Sequence, residues 1–369
     1  MKRTLLIINI IKRAAPYPLI ALFGAFVLLH PKECLTSAAA GVRICLDSVI
    51  PALFPFVFVS QLILETGVSD GLSIIFGRPL GRLLRLSQAA AQAMVLGFLG
   101  GYPVGARSAV LLYDDKKLTK DETERLLSCC NNCGPSFIFG VVGAGVFGSA
   151  AAAVLLWAVH ILSAIAAGFI LRGRRTAAKT EPGYSKRRRS VSFGAAFSKA
   201  GISSFQAMGN ICAFVILFNV ILLLPRWVGL YSISRDTIYR SLLSGVFELT
   251  NGVLSLSSDR GTAAFSCAAF LIGWGGLSVH FQTLSITAGR KLQMRRYFTG
   301  KILQAGISAA AAGAAAKVFM PGISETLYVF AGAYNLHITA YNVVLFSVPW
   351  LCLLLIAYLL GSGGRNSAN

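Results

Sequence analysis

Several polar side chains follow breaks in otherwise apolar sequence, and these residues are the best placed to bind a solute. One break is Gly100-Gly101-Tyr102-Pro103, where proline removes a backbone donor and glycine adds flexibility. A broken helix leaves peptide groups free, and its N-terminus binds anions without a cationic side chain. The candidate substrate-binding residues are Arg43, Gly100, Gly101, Pro103, Arg107, Asn131, Asn132, Ser136, Glu248, Asn251, Ser278, His280 and Gln282.

Two arginines within apolar sequence add positive charge. Arg107 lies four residues after Pro103 and has no acidic neighbour before Asp114, so it is a candidate for a substrate or gating role. Arg43 has Asp47 four residues further on, and an intrahelical ion pair is the alternative to solute binding. Charge within a membrane segment is costly, and it is usually paired or functional.

The segment Cys130-Asn-Asn-Cys-Gly-Pro-Ser136 is a second discontinuity, and its side chains have two interpretations. The amides of Asn131 and Asn132 and the hydroxyl of Ser136 could bind polar groups of a solute. They could also cap the broken helices, and the two roles are compatible.

His280 and Glu248 are also ambiguous. His280 follows the break at Gly275-Gly276 and could couple transport to protons, or it could hydrogen-bond to a neighbouring helix. Glu248, in Glu248-Leu-Thr-Asn-Gly252, could pair with Arg107 or Arg240, or bind a coupling sodium ion. The sequence does not choose between these roles.

No pattern of residues indicates catalysis or a metal site. HExxH, GxSxG, Walker and dinucleotide patterns are absent from any supporting context, and the four histidines lie far apart. Cys130 and Cys133 have the spacing of half a zinc site, but no second pair completes it. We therefore expect no catalytic residue, no metal and no cofactor.

Composition predicts the elements that must position these residues. The chain is 55% hydrophobic and 13% charged, with a mean hydropathy of +0.68. Soluble proteins carry nearer a quarter charged residues, so we expect an all-α, multi-pass membrane protein in contact with the lipid bilayer. The clearest apolar runs are Tyr17–Leu29, Ile50–Leu64, Ser149–Leu171, Ile211–Leu224 and Ala340–Leu360. No cleavage site follows Leu29, so the first run is expected to stay as an anchor.

The net charge of +20 is explained by basic residues in the predicted loops. Basic residues cluster beside the apolar runs, with an unbroken run at Lys186–Arg189, and cytoplasmic loops of membrane proteins are rich in such residues. No aromatic side chains are interleaved with them, so we expect no nucleic-acid partner.

An internal repeat divides the chain into two halves. Gly41–Phe58 aligns without gaps on Gly201–Phe218, and Gly100–Val104 matches Gly275–Val279 in the same order. The predicted organisation is an N-terminal segment with the first transmembrane helix (1–34), repeat 1 (35–171), a basic cytoplasmic loop (172–192), repeat 2 (193–361) and a tail (362–369).

Each half is expected to contain a re-entrant helical hairpin, at 86–112 and near 262–289. Counting spans from a cytoplasmic N-terminus makes the two repeats inverted, as is common in secondary transporters. In that scheme Arg290, Lys291, Arg295 and Arg296 fall on the outer face, against the positive-inside tendency.

Two pairs of segments resemble a known family. Gly97–Arg107 with Asn131–Gly140, and Gly245–Gly252 with Gly275–His280, look like the YlbJ family of sporulation integral membrane proteins, in the nucleoside recognition or Gate superfamily. The resemblance covers most of residues 35–360. It implies an architecture similar to concentrative nucleoside transporters, a role in spore maturation, and passage of dipicolinate from mother cell toward forespore across the outer forespore membrane.

The leading hypothesis is therefore a transporter of a small anionic solute. A nucleoside-like solute is one alternative. A membrane assembly factor for spore cortex or coat, which recruits partners through the basic loop without transporting anything, is another. A homo-oligomer is compatible with each of them.

Overall fold

The computed structural model describes residues 16–66, 68–173, 192–259 and 261–331, and within these ranges every regular element is a helix. Four stretches are long and apolar enough to cross a membrane: Pro31–Ile63, Ala150–Ile170, Phe193–Trp227 and Thr262–Thr287. A fifth is added if Phe76–Leu84 and Gln88–Gly100, bent by 113° at their break, form one span. The predicted run Ala340–Leu360, the tail 362–369 and residues 174–191 of the basic loop lie outside the described residues. These spans fit the predicted multi-pass membrane protein.

The first half consists of short and long helices in succession. They are α1 (Pro16–Leu29), α2 (Pro31–Ile44), α3 (Ile50–Thr66), α4 (Val68–Leu84), α5 (Gln88–Gly100), α6 (Val104–Asp114), α7 (Lys120–Cys130), α8 (Phe137–Phe147) and α9 (Ala150–Ile170). A π-helical turn at Cys45–Val49 joins α2 to α3, and α8 is itself π-helical. α5, α7 and α9 begin where the side chains of Ser87, Thr119 and Ser149 accept a hydrogen bond from the backbone three residues on.

The second half has longer helices around a short pair. They are α10 (Phe193–Ile221), α11 (Leu223–Trp227), α12 (Thr237–Phe247), α13 (Leu249–Leu254), α14 (Thr262–Trp274), α15 (Gly276–Thr287) and α16 (Arg295–Ala331). α10 packs against α2 and α3, and α16 packs against α14 and α9. Small residues allow the close approach: a Cβ added at Gly41 would lie 2.9 Å from the Cα of Ile216, and one at Gly273 would lie 2.8 Å from the Cα of Ala305.

α5 and α6 fold back on each other and form hairpin A (88–114). A Cβ added at Gly97 would lie 3.1 Å from the Cα of Gly105, so the two helices meet at paired glycines. The chain reverses at 101–103, where Gly101 has a φ of 71° that favours glycine. The break predicted at Gly100–Pro103 is the tip of this hairpin.

α12 and α13 form a second hairpin of the same kind, hairpin B (237–254). A Cβ added at Gly245 would lie 3.1 Å from the Cα of Gly252, and the Ser241 hydroxyl donates a 2.7 Å hydrogen bond to the Gly252 carbonyl. The reversal falls at Glu248. From sequence, Glu248–Gly252 is an isolated polar segment, and the structure places it at the tip of a hairpin.

The hairpin predicted near 262–289 is wrong. α14 and α15 follow one another as a single 26-residue span, interrupted at Gly275. Gly275 and Gly276 have φ values of 89° and 79°, which break the hydrogen-bond ladder without a turn long enough to reverse the chain. The alignment of Gly100–Val104 with Gly275–Val279 therefore matched a hairpin tip with an interruption in a span.

This correction also changes the expected position of the basic residues after α15. Arg290 pairs with Asp114 and Arg296 pairs with Asp121. Those carboxylates lie at the end of the molecule where Arg172 donates to the carbonyl of Leu83 and the basic loop begins. Because α14 and α15 cross once instead of returning, Arg290 and Arg296 lie on the basic-loop face and agree with the positive-inside tendency.

Candidate functional site

The two hairpin tips and two interrupted helices meet at one cavity inside the bundle, which we call the central cavity. Its wall is formed by the tip of hairpin A, residues 133–137, the tip of hairpin B and the first turns of α15, closed by apolar side chains of α3 and α10. Its volume is about 70 Å³. A bound water needs about 10–15 Å³ of cavity volume, so the central cavity can hold several waters. It is smaller than the roughly 300 Å³ at which pockets for organic ligands begin.

Each hairpin tip lies directly against an interruption. A Cβ added at Gly101 would lie 2.7 Å from the backbone nitrogen of Gly134, and one at Gly276 would lie 3.0 Å from that of Leu249. The Tyr102 hydroxyl then links the two halves, because it donates a 2.9 Å hydrogen bond to the Ile272 carbonyl in the last turn of α14. The broken segments are thus mutually packed, which is how irregular backbone is tolerated at membrane depth.

Three helices begin at the central cavity: α8, α13 and α15. A helix N-terminus carries unsatisfied N–H groups and partial positive charge, so it favours a negatively charged oxygen. The carboxylate of Glu248 already occupies one of these ends. It accepts hydrogen bonds from the backbone of Thr250 (3.0 Å) and Asn251 (2.8 Å), and the side chain is 3% exposed.

Three polar side chains of the cavity wall are available to a solute. Within the described part of the chain, no hydrogen bond engages the side chains of Ser136, Ser278 or Gln282, and all three line the cavity. Ser278 and Gln282 are one turn apart on α15 and share a face.

A buried lysine, which the sequence analysis missed, lies behind this wall. Lys301 of α16 is 1% exposed, and its Nζ donates to the carbonyl of Asn131 (3.0 Å) and to Oε1 of Gln304 (2.8 Å). The Nζ lies 5.4 Å from the centre of the Tyr102 ring, which separates it from the cavity. No ion pair among the described residues includes Lys301.

Lys301 belongs to a polar network that satisfies the interruption after α7. Gln304 donates to Oδ1 of Asn132 (2.9 Å), and Nε2 of His160 accepts from the backbone nitrogen of Cys133 (3.1 Å). Asn131 donates to the hydroxyl of Thr283 (2.9 Å). The broken backbone is therefore held by side chains of α9, α15 and α16.

The structure brings together about half of the candidate residues. Those that line the central cavity are Gly100, Gly101, Ser136, Glu248, Ser278 and Gln282. Asn131 and Asn132 lie in the polar network behind it. Pro103 is in the turn of hairpin A, and the Asn251 amide donates to Glu248 from the other side of α13 (2.9 Å).

His280 is placed away from the cavity wall. Its Nδ1 lies 2.7 Å from the Tyr297 hydroxyl, and its ring packs edge-on against Trp274. This geometry matches the interpretation of a buried histidine that is hydrogen-bonded to a neighbouring helix.

Neither Arg43 nor Arg107 lines the cavity. Both side chains are exposed. The expected intrahelical pair of Arg43 with Asp47 is wrong for the described residues, because no ion pair joins them there. The π-helical turn that begins at Cys45 changes the spacing on which an i,i+4 pair depends.

Within the described ranges, no group of three or more His, Cys, Asp or Glu side chains could hold a metal ion. Cys130 and Cys133 are buried free thiols. Cys133 lines the central cavity, and Cys130 packs beneath hairpin A.

Across residues 16–66, 68–173, 192–259 and 261–331, helices are the only regular elements, and several of them are apolar spans; this defines the class, a multi-pass integral membrane protein. The chain is 26% identical to "Sporulation integral membrane protein YlbJ" of Bacillus subtilis (strain 168), with 78% of each chain covered. This similarity supports membership in the YlbJ family. No family model matches the chain, and no solved structure matches it.

Proposed function

We propose that this chain is a membrane transporter of a small anionic solute, and that the central cavity is the solute site. The observation that carries the proposal is the meeting of three helix N-termini at one cavity. Ends of this kind hold anionic groups in transporters and in other proteins.

The positive charge comes from Lys301 and the helix ends instead of Arg107. Lys301 is buried next to the Asn131–Ser136 interruption, whereas Arg107 is exposed. Glu248 adds a negative charge to the wall, but its oxygens are bonded to the start of α13. Ser136, Ser278 and Gln282 are free to bond the polar groups of the solute.

The arrangement of elements supports alternating access by two inverted repeats. Each half has a long helix, a glycine-paired hairpin, an interrupted helix and a second long helix. In the first half these are α3, hairpin A, α7–α8 and α9. In the second half they are α10, hairpin B, α14–α15 and α16. The two free ends of hairpin A lie at the basic-loop face. Those of hairpin B lie at the opposite face, because α10 crosses from one face to the other between the two hairpins. A cavity of about 70 Å³ corresponds to a closed state, and one hairpin must move to admit a solute.

Dipicolinate, passing from mother cell toward forespore during sporulation, is the proposed solute. The relative that the chain resembles is named a sporulation integral membrane protein. Dipicolinate is a small aromatic dianion, which suits helix N-termini and a buried ammonium group.

Dipicolinate flux in proteoliposomes tests the proposal. We expect flux with the native protein and about a tenfold loss when Ser278→Ala and Gln282→Leu are combined, because two hydrogen bonds to the solute are removed. Ser285→Ala is the matched control, since Ser285 is exposed on the same helix.

Each outcome assigns a function. Uridine flux in place of dipicolinate flux would indicate a nucleoside-like solute. No flux of either, together with a sporulation defect on deletion of residues 174–189, would contradict transport and favour the assembly factor.

A further inference from the structure

A second, larger cavity opens at the end of the molecule opposite to the basic loop, and we call it the vestibule. Its volume is about 520 Å³, within the range of sites for small organic ligands. Leu222 after α10, α11, the turn at Tyr231, α12, α13 and the residue after α13 line it. Its polar lining residues are Arg226, Tyr231, Arg240, Ser244, Asn251 and Ser255.

The lining of the vestibule is positively charged. Arg226 and Arg240 line it, and no carboxylate does so among the described residues. Arg240 is anchored by carbonyls, with Nε 3.2 Å from the oxygen of Ser234 and Nη2 3.4 Å from that of Tyr231. Arg226 lies over the Tyr231 ring at 5.2 Å and forms no ion pair within the described ranges.

The Tyr231 hydroxyl provides an independent observation. It is enclosed and has no hydrogen-bond partner in the described structure. A buried hydroxyl without a partner is costly, and a bound acceptor would remove that cost. Two guanidinium groups and a free hydroxyl on one wall match the oxygens of a carboxylate.

Residues of hairpin B line both the vestibule and the central cavity. Asn251 lines the vestibule, and its Nδ2 donates 2.9 Å to Oε2 of Glu248, which lines the central cavity. The start of α13 therefore lies on the shortest connection that these contacts show between the two cavities.

We propose that the vestibule binds a carboxylate group of the transported organic anion through Arg226 and Arg240, before or after its passage past hairpin B. The inference rests on the proposed transport function. The bound species is the free solute, and the phosphate of a lipid headgroup is the rival source of the same anionic oxygens.

The test compares Arg226→Gln combined with Arg240→Gln against Arg235→Gln, whose side chain is exposed and lies outside the vestibule lining. Dipicolinate is the probe, and its uptake is measured in phosphatidylcholine vesicles in which the protein has one known orientation. We expect the KM from the vestibule side to rise about tenfold or more in the double variant, with the maximum rate unchanged. The control should match the native protein, and Arg226→Lys with Arg240→Lys should recover part of the affinity.

Equilibrium binding of dipicolinate to the purified proteins separates failure of this inference from failure of transport. Native flux with the same KM in the double variant overturns the vestibule and leaves transport intact. No native flux, but binding that the double variant weakens, supports the vestibule and overturns transport. Neither flux nor binding overturns both. An effect that appears only when phosphatidylglycerol is present assigns the site to a lipid headgroup and overturns the inference.

Discussion

The amino group of Lys301 lies inside the bundle, where it donates to the neutral oxygens of Asn131 and Gln304. Burying a charge without a counter-ion is unfavourable, so such a group is usually kept for function. An anionic solute in the central cavity would supply the missing countercharge once the Tyr102 ring moves aside. Under the proposed transport function, Lys301 would therefore have a second role besides its hydrogen bond to the Asn131 carbonyl.

Lys301→Met tests that role. We expect dipicolinate flux to fall at least about tenfold, because the nearest buried positive charge is lost. The melting temperature should change by only a few degrees, since removing a buried charge offsets the loss of two hydrogen bonds. Flux equal to that of the native protein, measured in proteoliposomes with Lys317→Met as the exposed control, would remove Lys301 from the mechanism.

At the scale of elements, the paired glycines decide whether the hairpins can close. Gly245 and Gly252 in hairpin B, like Gly97 and Gly105 in hairpin A, leave no room for a side chain between the two helices. These pairs hold each tip at the central cavity and fix the position of the helix that begins there.

Gly252→Ala should therefore destabilise the protein by about 1–3 kcal/mol, as overpacking does in a tight interior. The matched control is Gly209→Ala in α10, where a Cβ meets nothing within 4 Å. There we expect a gain of up to about 1 kcal/mol, because alanine is the better helix former. Thermal unfolding in detergent measures both, and equal effects would contradict the packing of hairpin B.

The end of hairpin A is tied to the loop before α16 by Asp114 and Arg290, whose Nε lies 2.8 Å from Oδ1. The hydrogen bond from Arg290 holds the pKa of Asp114 below its usual value. A carboxylate with a lowered folded-state pKa stabilises above its unfolded pKa of about 3.9, and the stabilisation is lost as pH falls through the folded value.

Asp114→Asn should consequently lower the melting temperature slightly at about pH 6, and this difference should shrink as pH falls through the lowered pKa of the native carboxyl. The effect is small because both side chains are partly exposed. Glu33→Gln is the control, because Glu33 is exposed and forms no ion pair among the described residues. If the difference in melting temperature between Asp114→Asn and the native protein stayed the same at acidic pH, the pairing of Asp114 with Arg290 would be contradicted.

At the scale of the whole molecule, the sequence predicted local breaks better than it predicted their geometry. Pro103 between glycines can only interrupt a helix, so the tip of hairpin A was located from sequence. A glycine break such as Gly275-Gly276 can either reverse a chain or only kink it. Tertiary packing decides between these two outcomes, and the sequence does not show that packing. The second hairpin was therefore predicted at the wrong place. Two glycines seven residues apart, Gly245 and Gly252, on either side of a polar segment were the signal available for hairpin B; Gly97 and Gly105 in hairpin A are eight apart.

The site was predicted in part for a similar reason. Ser136 and Ser278 were predicted correctly because each lies within a few residues of a helix break that is visible in the sequence. Where the break lines the cavity, the neighbouring side chain lines it too. Lys301 lies within a continuous helix, six residues after Arg295, and from sequence it cannot be distinguished from a surface lysine. Its role depends on contacts with residues about 170 positions earlier, which only the fold brings together.

The most direct test of the account is an experimental map of the protein in lipid nanodiscs with saturating dipicolinate. The account predicts solute density between the tips of hairpins A and B, in contact with Ser278 and Gln282. It would be contradicted by a map in which the two tips lie apart at the water surface, or in which dipicolinate binds elsewhere while the central cavity stays closed.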